Sequence, residues 1–142
     1  MRITYYRAIP KSDTYKDLFS SVIFIIKTFR KKGCLWGNIP ENHIKTNFVG
    51  SKQILQTAVD LICDGVDTSI FKFIIELEFN KAICRNSLVS ESELFELTLA
   101  KELLYYIRTN DPDSIYNLLC YVCTSTVREE LVPTVNWVDT PI

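Results

Sequence analysis

Glycine is scarce in this chain, with four in 142 residues, and histidine and methionine occur once each. So few glycines leave no phosphate-cradling loop, and neither GxxxxGK[ST] nor GxGxxG occurs. GxSxG and HExxH are missing as well. With one histidine, any histidine-based triad would rest on His43, which lies in a loop between Asn42 and Ile44 and reads as a surface residue. Long apolar runs are also lacking. The best, residues 18–26, is broken by Ser20 and Ser21 and is soon followed by Lys27, Arg30, Lys31 and Lys32, whereas a membrane-spanning helix needs about 20 apolar residues. The first residues hold no apolar signal core with a small-residue cleavage site, so export by that route is not expected. Neither sign of charge dominates: 16 basic and 17 acidic residues give a formal net charge of −1. Phosphate binding by counterion release needs a basic excess or a basic face, which excludes a general nucleic-acid coat. A helix-turn-helix reader is disfavoured because no helix gathers Arg, Lys, Asn and Gln on one face.

What is present is apolar matter in quantity. Hydrophobic residues make up 47% of the chain and charged residues 23%, the composition of a folded domain rather than a disordered one. A chain of this length buries roughly two-thirds of its unfolded surface, enough for a core without staples. The mean hydropathy of +0.07 is high for a chain without a span and points to apolar surface that meets a partner. Five cysteines, an odd number spread along the chain, suit a reducing compartment better than a disulfide framework, and the expected location is the cytoplasm.

The spacing predicts an all-α bundle of about five helices in one domain over 1–142. Residues 1–11 read as a leader. Ser12 or Asp13 caps a first helix with Tyr15, Leu18, Phe19, Val22, Ile26 and Phe29 on one face, and Gly33 stops it. After a loop through Gly37 and Pro40, a second helix spans about 46–63, with Phe48, Ile54, Leu55, Ala58, Leu61 and Ile62 inward. Asp64-Gly65 ends it, and Asp67 caps a third helix whose expected inner face is Ile70, Phe71, Ile74, Ile75, Leu77 and Ile83. Ser90 with Glu93 forms a capping box before a fourth helix with Leu94, Leu97, Ala100, Leu103, Leu104 and Ile107 on one side. Asp111-Pro112 opens a fifth, bearing Ile115, Leu118, Leu119 and Val122 and ending before Pro133. The last two form a C-terminal helical pair over 90–131, and 134–142 read as a tail.

Few groups invite chemistry. Cys120 and Cys123 form a CxxC, but redox pairs sit at a helix start, where free amides stabilise the thiolate. This pair falls in an apolar run and is expected mid-helix, as small buried thiols. A zinc site needs four ligands, and Cys34, Cys63, Cys84 and His43 supply no second close pair. The carboxylates Glu76, Glu78, Glu91, Glu93, Glu96 and Glu102 fall at spacings that suit solvated helix faces. No catalytic residue, metal or cofactor is expected, and the chain reads as a protein-binding module, not an enzyme. Lys27, Arg30, Lys31 and Lys32 close the first helix, where cations offset the dipole by about 0.3–1 kcal/mol each. They also make the one positioned charge patch, with Trp36 beyond it as a candidate contact residue.

The segments 15–38 (YKDLFSSVIFIIKTFRKKGCLWGN) and 53–80 (QILQTAVDLICDGVDTSIFKFIIELEFN) resemble the cytoplasmic region of the flagellar stator family, MotA. Arg30, Gly33 and Leu35 match the family's Arg-x-x-Gly-Leu-type motif; Asp64, Gly65 and Asp67 match its Asp-Gly-x-Asp turn; Glu76 and Glu78 match its acidic end. The resemblance, with its helices at 15–85, implies docking at the motor, near the membrane, on the rotor protein FliG through helix-surface charge pairs, with Arg30 facing the rotor. The family's acidic position eight residues after the arginine is Asn38 here. A stator subunit would next cross the membrane twice, yet 90–109 carries Glu91, Glu93, Glu96, Lys101, Glu102 and Arg108, at several kcal/mol each in a bilayer. No ion conduction is therefore expected of this chain. The alternative is a regulatory helical adaptor unrelated to the motor, using an exposed apolar stripe as a helix-in-groove site.

Overall fold

Among the described residues the chain forms six helices rather than about five. The structure, a computed structural model, describes residues 11–32, 43–85 and 89–135, with side chains over 11–30, 43–84 and 89–131. The helices are α1 (Lys16–Lys32), α2 (Val49–Cys63), α3 (Thr68–Arg85), α4 (Glu91–Arg108), α5 (Pro112–Val122) and α6 (Ser125–Val135), and no strand occurs among the described residues. The predicted stop at Asp64-Gly65 and the predicted caps Asp67, Ser90 and Asp111 are present, and α1 begins at Lys16, whose amide donates to the backbone oxygen of Asp13 at 3.2 Å. Gly65 takes φ +73° after α2, a left-handed position that suits a residue without Cβ. Asp67 Oδ1 accepts from the Ile70 amide at 2.9 Å, and this bond, with the Ser69 hydroxyl, holds the Asp67 carboxyl below its ordinary range. Ser90 Oγ accepts from the Glu93 amide at 3.1 Å, and Asp111 Oδ1 from Ser114 at 3.2 Å. Gly33 lies outside the described residues.

The fourth helix is the axis of the molecule. It packs on α1, α2, α3 and α5, and six consecutive residues, Phe95, Glu96, Leu97, Thr98, Leu99 and Ala100, are all buried. A helix that is covered on every side belongs in the centre of a fold. The first helix lays Leu18, Phe19, Val22, Ile25 and Ile26 into the same core, Tyr15 meets the Phe95 ring at 5.0 Å, and α6 closes over α1 and α5.

The C-terminal helices and Glu96 depart from the sequence reading. The fifth predicted helix is two. Cys123 takes extended backbone (ψ 154°), and Thr124 starts α6, its Oγ1 accepting from the Val127 amide at 3.5 Å. The N-terminal turn holds the break open: the Ser12 amide donates to Val122 O at 3.0 Å, the Thr124 hydroxyl donates to Asp13, and Lys16 Nζ sits 2.7 Å from Glu130. The backbone then stays helical past Pro133 to Val135, so the first residues of the expected tail are helix. The other departure is Glu96, placed by sequence among solvated carboxylates. It is 0% exposed and accepts from the amides of Asn47 and Phe48, each at 3.0 Å. Phe48, the N-cap of α2, has no side-chain cap of its own, so a carboxylate on α4 supplies it. α2 begins at Val49 and not near 46 because Phe48 takes extended backbone (φ −130°, ψ 145°).

Candidate functional site

The third helix carries apolar residues on two opposite faces. One face is core: Phe71 and Ile75 are fully buried, with Phe79, Ala82 and Ile83 partly buried against the same cluster. The other is open: Ile70 is 46% exposed, Phe73 63% and Leu77 43%. Ile70 and Leu77 were expected inside and point out; Phe71 and Ile75 were placed correctly. Periodicity could not separate the two sets because the helix is apolar nearly all round; among the described helices, α2 and α4 make its main packing contacts. The outward residues fall at spacings of three and four, and Asn80 and Cys84, also exposed, continue the line.

Its border is charged and aromatic. Lys101 Nζ lies 3.2 Å from Glu76 Oε2 and 4.2 Å from the Phe79 ring centroid. The Tyr105 hydroxyl donates to Glu76 Oε2 at 3.3 Å. Burial first, then the Glu76 charge, pushes the Tyr105 hydroxyl up to about 12, so it stays a donor at neutral pH. Lys72 Nζ stands 5.6 Å from the Tyr105 ring, and Lys81 pairs with Glu78 at 3.2 Å. An apolar strip of this kind rimmed by polar groups marks interaction surface.

The basic patch expected at the end of α1 is differently disposed. Lys27 and Arg30 are half-buried, and Arg30 Nη1 donates to Asn110 Oδ1 at 2.9 Å. Asn110 closes α4 at φ +55°, a left-handed position that asparagine tolerates. Arg30 and Asn110 share a cleft of about 160 Å³ with Phe29, Ile62 and Arg108, and Arg108 is itself bonded to Val66 O at 3.0 Å. Arg30 is thus a strut between α1 and the end of α4. The side chains of Lys31 and Lys32, and all of Trp36, Leu35 and Asn38, lie outside the described residues.

The candidates for chemistry stay apart. Cys123 ends α5 instead of sitting mid-helix; it is fully buried, and burial pushes its thiol up to about 12, the opposite of an activated nucleophile. Cys120 is half-buried. His43 stacks flat on Phe24, ring centroids 4.4 Å apart, in an open cleft of about 310 Å³ with Asp17, Ser20, Ser21 and Lys45. Ser21 Oγ donates to Lys45 O at 3.0 Å and accepts from the Lys45 amide at 2.7 Å, which ties the hydroxyl to the backbone and away from the imidazole. Among the described residues no three His, Cys, Asp or Glu side chains gather as metal ligands. No described helix is long and apolar enough to cross a membrane.

No protein-family model matches this chain, and no curated protein or solved structure proves similar to it, so none of the comparisons links it to the stator family.

Proposed function

We propose that this protein is a non-catalytic helical module that binds a protein partner through the outer face of α3. The observation that supports it is the line Ile70, Phe73 and Leu77, exposed on the side of the helix opposite Phe71 and Ile75. Fully covering a large apolar side chain is worth roughly 1.5–3 kcal/mol. Leaving three in water on one line of one helix is explained best by a partner that covers them. An amphipathic helix laid along the strip is the fitting occupant, because anchors at i, i+3 and i+7 are read by helix-on-helix packing. Cys84, Cys120 and Cys123 are reduced thiols, which supports a cytoplasmic location.

A rotor-docking role at the end of α1, through Lys27, Arg30, Lys31, Lys32 and Trp36, would have to recruit an arginine already tied to Asn110. The α3 strip needs no such rearrangement, and the adaptor reading is accordingly preferred. The test is equilibrium unfolding of the dilute chain carrying Phe73→Ser. A residue kept for a partner contributes little to the isolated fold, so stability should stay within about 0.5 kcal/mol of wild type. A loss above about 2 kcal/mol, the size expected of a core truncation, would mean that the strip is covered within the chain itself.

A further inference from the structure

The outward residues of α3 run Ile70, Phe73, Leu77, Asn80 and Cys84, all exposed, and the steps between them are three, four, three and four. That alternation is the seam of a left-handed helical pair, in which the two seam positions of each heptad insert between residues of the facing helix. The positions opposite the seam, Phe71, Ile75 and Ala82, are those packed into the molecule. The helix is therefore already formed and held by α2 and α4 when the seam meets anything. Two heptads are too few for a free peptide to pair, because helix formation is cooperative with a costly nucleus; a preformed helix does not bear that cost again.

The flanks of the seam say what fits. Glu76 and Lys81, both exposed, lie on opposite flanks and five residues apart, the offset at which flanking charges of parallel paired helices meet. In a parallel pair of identical helices each Glu76 faces the other copy's Lys81, and the pairing occurs twice. An antiparallel pair layering Phe73 on Leu77 would bring the two Glu76 carboxylates to the same side. Asn80 occupies one seam position, and a polar side chain there sets register at some cost in stability. The present contacts of Glu76 with Lys101 and of Lys81 with Glu78 are surface pairs of little individual worth, and they can be shared or exchanged.

Building on the docking surface above, we infer that its occupant is a second copy of this chain, the two α3 helices running parallel about a twofold axis. The contact extends about 21 Å along the helix, below the size of a standard interface, so the dimer is weak and dissociates on dilution.

The test is sedimentation equilibrium of the full chain over a hundredfold dilution series. Wild type should shift from dimer to monomer within it. Leu77→Lys should remain monomeric throughout with unchanged helical circular dichroism. Glu76→Lys alone should weaken dimerisation about tenfold or more, and Glu76→Lys with Lys81→Glu should restore it. Three results would overturn the inference: wild type monomeric at every concentration, a dimer that survives Leu77→Lys, or a double charge swap that fails to restore what the single change lost. The first of these, with Phe73→Ser still neutral for stability, removes self-pairing and leaves the docking surface; a Phe73→Ser variant that unfolds removes both.

Discussion

Glu96→Ala should lower the stability of the fold by roughly 2–5 kcal/mol, because it removes a buried carboxylate and leaves two part-buried amide groups without their acceptor. The amides are those of Asn47 and Phe48, each 3.0 Å from a Glu96 oxygen, and the carboxylate is fully buried. Its charge also faces the positive end of the α2 dipole, so the effect exceeds that of a neutral cap. Glu96→Gln keeps an acceptor for one amide and should cost about half as much. Urea unfolding followed by circular dichroism reads both values. A Glu96→Ala protein as stable as wild type would show that the start of α2 does not depend on α4.

Phe71→Ala should be costlier still, about 3–5 kcal/mol, since the ring is fully buried and its loss opens a cavity as well as forfeiting transfer free energy. For a chain of this length that corresponds to a fall of roughly 10–20 °C in melting temperature. The contrast with Phe73, two residues on and 63% exposed, lies wholly in what covers the ring, because residue type, helix and propensity are the same. Differential scanning calorimetry on Phe71→Ala and Phe73→Ala measures it. A Phe71→Ala protein that melts within a few degrees of wild type would contradict the assignment of that face to the core.

What could be read from the sequence follows the range of the interactions. Caps such as Ser90, Asp111 and Asp67 act on amides three residues away, so the residue types themselves announce them, and the helical class follows from spacing. The split between α5 and α6 depends instead on Ser12 and Asp13, more than a hundred residues distant. The hydroxyl run Thr124-Ser125-Thr126 was the available local sign. Glu96 is buried by amides nearly fifty residues away; its apolar neighbours Phe95, Leu97 and Leu99 were the clue that it does not face water.

The candidate site was half legible. Every apolar residue of α3 could be named, but which of its two faces is covered depends on where α2 and α4 lie. The basic cluster at 27–32 was visible as charge, yet the tie from Arg30 to Asn110 joins residues eighty apart and could not be seen. Short motifs carry the stator resemblance, and two of the matching residues, Gly33 and Leu35, lie outside the described part of the chain.

The account turns on α3 having one face that builds the fold and another that faces outward to associate. Hydroxyl-radical footprinting of the dilute native chain, read by mass spectrometry at single residues, tests this most directly. Phe73 and Leu77 should be labelled several-fold faster than Phe71 and Ile75, and their labelling should slow as concentration rises. Equal protection of Phe73 and Phe71 at every dilution would contradict it.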